Sequence, residues 1–93
     1  MGTFHSDTHP LHGITVVVET RDAALYVGRC DDVTESEVRL RDAEAHRSGG
    51  DGSAREQFLA RVARVGQWPQ LKVVRLERAE VVSLRPLAEV ASA

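Results

Sequence analysis

Between Leu11 and Glu44 the chain reads as three short strands in succession, and a glycine, Gly28, falls inside the middle one. Ile14, Val16 and Val18 alternate with Thr15, Val17 and Glu19, the period-two pattern of a strand. Val17 is apolar as well, which predicts burial on both faces, by a core on one side and a neighbour on the other. Thr20-Arg21-Asp22 turns the chain into Ala24–Cys30, where Leu25 and Val27 share one face and Tyr26 and Gly28 the other. A glycine within a strand marks a bulge, a bend or a close backbone approach. Thr34-Glu35-Ser36-Glu37 makes a tight turn, after which Val38 and Leu40 alternate with Arg39 and Arg41. Farther on, Val73, Val74 and Leu76 give a fourth strand and Val81, Val82 and Leu84 a fifth. Only Glu77–Glu80 separates these two, too little for a crossover, so the pair is expected to turn sharply. Five short, bent, antiparallel strands in a chain of this size predict a small closed β-barrel.

Between the third and fourth strands the character changes. Arg47–Gly52 has the composition of a loop, and Ser53 followed by Glu56 reads as a capping box opening a helix over about 53–65. Phe58, Leu59, Val62 and Val65 recur at helical spacing, and Gly66 suits the residue that ends the helix. Arg55, Arg61 and Arg64 fill its remaining surface, and Trp68 is expected to pack back over the helix end or the barrel mouth. The first ten residues lack periodicity and read as a loosely docked arm. One domain over 11–87 follows, with a short tail at 88–93 expected to fray.

Ninety-three residues support one modest core, and aromatic side chains are scarce: Phe4, Tyr26, Phe58 and Trp68. A core of Val, Leu, Ile and Ala makes self-association attractive, because a subunit interface buries what the monomer leaves exposed. The single cysteine, Cys30, excludes an internal disulfide and a cysteine-based zinc site. With neither a transmembrane-length apolar run nor a signal-peptide pattern at the N-terminus, the sequence reads as cytosolic. The net charge of −2 argues against a basic nucleic-acid clamp. Its distribution is uneven: residues 1–53 hold ten acids and five bases, residues 54–93 four acids and seven bases. Oppositely signed regions of this kind steer partners or pair between subunits.

Signatures of catalysis are sparse, and the sequence predicts neither an enzyme nor a cofactor. Asp31 and Asp32 are adjacent, and neighbours on a regular strand point to opposite faces, which would keep them from sharing a proton. Ser48–Ser53 before a helix suggests a phosphate cradle, but it has no Walker lysine and it contains Asp51. Cys30 lies beside Arg29 with no histidine paired to it, which suits a small buried thiol. His5, His9 and His12 with Asp7 form a metal-like cluster on the arm, short of a fixed fourth ligand, so no metal site is predicted. His46 reads as a surface residue.

Leu11-His12-Gly13, Tyr26-Val27-Gly28-Arg29-Cys30 and Val38–Glu44, in this order around a bending glycine, resemble the first motif of Sm-like proteins. The interval from Gly28 to Leu40 is similar to the bacterial Hfq branch, and Val73–Val82 resembles a degenerate second motif. The resemblance covers residues 11–46 and 71–87. It implies a five-stranded, bent antiparallel SH3-like (Sm-like) barrel with one inserted helix between strands 3 and 4. It also implies a cyclic homo-oligomer of six or seven subunits, in which the fourth strand of one subunit pairs with the fifth of the next. Val73, Val74, Leu76, Val81, Val82 and Leu84 would then form the subunit interface.

RNA binding is implied as well, of low or altered specificity. Thr34 stands where the family has an Asp, Arg78-Ala79 is the nearest counterpart of its basic motif, and the chain contains no Asn. The candidate nucleic-acid residues are Arg78, Lys72, Arg75 and Thr34, with the helix arginines behind them; salt bridges to Glu77, Glu80 or a neighbouring subunit are the competing use for Arg75, Arg78 and Arg85. Two further readings stand beside this one: a structural or adaptor module whose inserted helix docks a protein partner, and another small SH3-like barrel of ribosome-associated or PRC type.

Overall fold

The computed structural model describes residues 10–47 and 52–91, without the side chains of residues 52, 53 and 91. The arm with His5, Asp7 and His9, the loop at 48–51 with its suggested phosphate cradle, and the side chain of the Ser53 capping box lie outside the described residues.

Five strands form one antiparallel sheet: β1 (Thr15–Thr20), β2 (Ala24–Val33), β3 (Glu37–Arg47), β4 (Leu71–Glu77) and β5 (Val81–Pro86). Helix α1 (Gly52–Val65) sits between β3 and β4, and a short helix α2 (Leu87–Ala91) follows β5 in place of the expected fraying. The strand order is β4-β3-β2-β1-β5. The sheet is therefore open. β4 and β5 lie at opposite edges and do not pair with each other, which corrects the closed barrel expected from the sequence; the sharp turn expected between them is present at Arg78–Glu80.

A connection of three residues nevertheless carries the chain from one edge to the other, the 3-10 turn Arg78–Glu80. The reason is curvature. At one end of this turn the Arg78 N–H donates to the Ser36 carbonyl at 2.9 Å, and at the other the Arg21 N–H donates to the Glu80 carbonyl at 2.9 Å. Arg21 and Ser36 flank opposite ends of β2, whose ten residues would run about 33 Å if straight. Three residues reach about 10 Å at most. β2 must bend hard enough to bring its two ends to one small turn.

Two bulges supply the bend. The β2–β3 register slips between Val27 and Arg29, where Gly28 faces the extra residue on β3, and again between Cys30 and Asp32, where Asp31 is extra on β2. Asp42, in the first bulge, has φ of 51°, a left-handed conformation that Asp tolerates better than most residues. Gly28 is needed there for space. A Cβ on it would stand 2.8 Å from Ala43 Cβ and 3.0 Å from both Ala43 Cα and the Arg41 carbonyl oxygen.

The bent sheet has a core on each face. Inside the curl, Val16, Val18, Cys30, Val38, Leu40, Ala43 and Leu76 pack together. On the outer face, Val17, Leu25 and Val27 meet Phe58 and Val62 of α1, with Leu87 and Val90 of α2 beside them. Val17 is thus buried by a helix while its two neighbours fill the inner core. Each such side chain contributes about 1.5–3 kcal/mol by leaving water. Gly66 ends α1 with φ of 86°, its N–H donating to Val62 O at 2.8 Å, the left-handed cap that glycine adopts without strain. Among the described residues no helix is long and apolar enough to cross a membrane.

Candidate nucleic-acid interface

The β2–β3 turn and the Arg78–Glu80 turn meet, and their meeting makes the site. Val33, Thr34, Glu35 and Arg78 line an open hollow of about 550 Å³. Two hydrogen bonds hold its walls together: Arg78 N–H to Ser36 O at 2.9 Å, and Arg78 Nη1 to Thr34 O at 3.3 Å. The Thr34 hydroxyl is occupied within its own turn, accepting the N–H groups of Ser36 and Glu37 at 3.2 and 3.1 Å. Such side-chain-to-backbone bonding is how a threonine fixes a tight turn. Thr34 therefore offers its carbonyl to Arg78 and keeps its hydroxyl for the turn. What faces outward is a guanidinium with most of its donors free and the Glu35 carboxylate. Sequence reasoning passed over Glu35, because a turn carries no periodicity to say where a side chain points.

The other candidates lie elsewhere. Arg75 is opposite Arg39 in the β3–β4 register. With Thr20, Asp22, Tyr26, Leu76, Glu77 and Glu80 it lines a second, smaller depression of about 180 Å³. Lys72 sits near the opposite end of β4, six residues from Arg78, about 20 Å of strand. The structure thus brings Thr34 and Arg78 together, and leaves Lys72 well apart from them. Among the described residues, the salt bridges suggested between Arg75, Arg78 or Arg85 and Glu77 or Glu80 do not form; Arg85 acts at a distance on Glu19.

Two of the three helix arginines, Arg55 and Arg61, are half-buried in ion pairs with the sheet, which takes them out of the candidates for a ligand. Arg55 forms a two-pronged pair with Glu19, both contacts at 3.0 Å, and this holds the Glu19 carboxyl below its usual range. Arg61 pairs with Glu44, which is 4% exposed, and its guanidinium lies 4.0 Å from the Trp68 ring and 5.5 Å from the Phe58 ring. Glu44 also accepts the Trp68 N–H at 2.8 Å. His46 is likewise not a free surface residue: its ring stacks on Phe58 with centroids 4.8 Å apart. Among the described residues, Arg64 is the one helix arginine that faces solvent without an ion pair.

Asp31 and Asp32 behave as the bulge dictates and not as a regular strand would. Both carboxylates reach Arg39, at 2.7 and 3.7 Å, and Asp31 also holds Arg41 at 3.1 Å. Arg39 and then Arg41, as hydrogen-bond donors, keep the Asp31 carboxyl below its ordinary range. Cys30 is fully buried, and burial pushes its thiol pKa up, with Asp32 and Asp31 adding to the rise. A nucleophilic thiol needs the opposite environment. Among the described residues no group of three His, Cys, Asp or Glu side chains is placed to hold a metal ion.

The proposed interface residues divide by face. Val73 and Val82 are 48% and 61% exposed on the two edge strands, whereas Val74, Leu76, Val81 and Leu84 turn toward the inner core. No protein-family model matches the sequence, and no curated protein matches it either.

Proposed function

We propose that this chain is a non-enzymatic, ring-forming Sm-like protein that binds single-stranded RNA with altered specificity. The observation that carries the reading is the strand order, which leaves β4 and β5 as free edges of one sharply bent sheet. Unpaired edges bearing Val73 and Val82 invite pairing with another chain, and a closed ring removes every such edge at once. The hollow at Thr34 and Arg78 supports the RNA part, because a short turn at one end of the curl presents a guanidinium able to stack on a base or bind a phosphate. A ring would repeat that hollow once per subunit and multiply a weak contact.

A second reading, docking of a protein partner beside the inserted helix, draws on Val65 and Trp68, which are 63% and 58% exposed at the helix end. The apolar stripe of α1 itself is already occupied by the sheet.

Light scattering on the purified protein tests assembly. The expected mass is six or seven copies of the 10.2 kDa subunit, and Val73→Lys is expected to yield single subunits. A wild-type mass of one subunit overturns the ring. For RNA, fluorescence anisotropy with short single strands is expected to show binding that weakens steeply with salt. Arg78→Ala is expected to weaken it about tenfold, the size of one charge-assisted contact of roughly 1.5 kcal/mol. Equal affinity in wild type and Arg78→Ala overturns the assignment of this hollow.

A further inference from the structure

The hollow between the β2–β3 turn and the Arg78–Glu80 turn presents two uncommitted charged groups of opposite sign. Glu35 is exposed, and among the described residues its carboxylate has neither an ion pair nor a hydrogen bond. Arg78 gives one donor to the Thr34 carbonyl and keeps the rest of its five N–H groups. A phosphate entering here gains from Arg78 and is repelled by Glu35, so the pair cancels for an anion. A neutral group gains from both only if it shows donors to the carboxylate and acceptors to the guanidinium.

Among the nucleobases this requirement is selective. An ionised carboxylate only accepts, through two oxygens side by side. Guanine carries two neighbouring donors, N1–H and N2–H, on its Watson–Crick edge, and the acceptors O6 and N7 on the other side, the pair that an arginine fork engages. Uracil has a single donor, N3–H, flanked by two carbonyl oxygens that a carboxylate repels. Adenine and cytosine each show one amino group beside an acceptor nitrogen.

We infer that the hollow lined by Val33, Thr34, Glu35 and Arg78 is a guanine-selecting base site, with Glu35 reading N1–H and N2–H and Arg78 reading O6 and N7. This rests on the RNA-binding reading above and names the base that reading leaves open. The turn is held by the Thr34 hydroxyl and the Arg78–Ser36 backbone bond, so the backbone that carries the two readers is fixed before any ligand arrives.

The test measures anisotropy of labelled hexa-adenosine, hexa-uridine, hexa-cytidine and an alternating adenosine–guanosine hexamer against the full chain at one fixed salt concentration. The guanine-containing strand is expected to bind on the order of tenfold more tightly than hexa-adenosine, with hexa-uridine weakest. Glu35→Gln puts a donor beside an acceptor, the pattern complementary to uracil. It is expected to abolish the guanine preference and to raise hexa-uridine binding, at unchanged melting temperature because the Glu35 carboxylate has no partner among the described residues. Equal binding of all four strands, or a guanine preference that survives Glu35→Gln, overturns the guanine site and leaves RNA binding standing. Absence of binding to every strand at low salt overturns both.

Discussion

The two ends of β3 carry similar residue types to opposite effect. At its far end Glu44 is buried, bonded to Arg61 and to the Trp68 N–H, and roofed by aromatic rings. At its near end Glu35 and Arg78 stand over open solvent and make no pair with each other. A carboxylate and a guanidinium enclosed by rings belong to the fold, since each satisfies the other's desolvation. The same two groups on a tight turn are available to a ligand. The difference arises from backbone geometry: the bulge at Asp42 turns Glu44 toward the helix, while the Thr34 turn holds Glu35 outward.

The largest effect should come from breaking the closed end. Glu44→Ala leaves Arg61 half-enclosed without its counter-charge and the Trp68 N–H without its acceptor. Removing one partner of a buried pair costs about 3 kcal/mol or more, and urea denaturation should show that loss as a lower midpoint at unchanged slope. The corresponding change at the open end, Glu35→Ala, should move the midpoint by less than about 0.5 kcal/mol. Equal losses at the two ends would refute the distinction between them.

Next in size is the bend that separates the ends. Gly28→Ala forces a methyl to within 3.0 Å of Ala43 and of the Arg41 carbonyl, overpacking that should cost about 2 kcal/mol. Combining it with Ala43→Gly removes the closest clash, at 2.8 Å, and leaves the two backbone contacts. The double variant should therefore be more stable than the sum of the two single losses predicts, a coupling that a double-mutant cycle measures. Strict additivity would mean that Gly28 serves flexibility and not close approach.

Much of this fold is legible in the sequence because it follows from repetition. Three consecutive valines, 16 to 18, announce a strand covered on both faces. Phe58 and Val62, one helical turn apart, announce the face of α1 that the sheet covers, and Gly66 marks its end. The bulges were not legible, since each inserts one residue into a period of two and reverses the side of everything after it. By alternation from Val38 and Leu40, Glu44 and His46 belong inside the curl; the extra residue at Asp42 puts them on the helix face, against Arg61 and Phe58. The same slip at Asp31 lets two adjacent carboxylates share Arg39. Of the candidate site, Arg78 and Thr34 were found through a motif, but their contact depends on how far β2 bends, which no local pattern encodes. Val65 has helical spacing and still faces solvent, outside the cluster that Phe58 and Val62 join.

The smallest effect concerns two paired carboxylates beside β3, the exposed Asp22 and the half-buried Asp31, and its sign is fixed by proton linkage. Asp22, bonded by the Thr20 hydroxyl and by Arg47 at 2.7 Å, is lowered from its ordinary 3.8 to about 2. Asp31 is lowered too, by Arg39 and Arg41. A carboxylate whose pKa is depressed by folding adds stability that is fully present above its unfolded value and lost as pH falls toward its folded one. The melting temperature should therefore hold level down to about pH 5 and decline between about pH 4 and pH 2. Asp22→Asn should make that decline shallower, and Asp31→Asn should do so to a lesser degree, each by a small loss of melting temperature near neutrality, small because pairs open to solvent contribute little. If the wild-type melting temperature rises on acidification through this window, the pairing of Asp22 with Thr20 and Arg47 does not govern its titration. If Asp31→Asn flattens the decline more than Asp22→Asn does, the stronger network is the one at Arg39 and Arg41 and not the one at Arg47, reversing the order of the two ends.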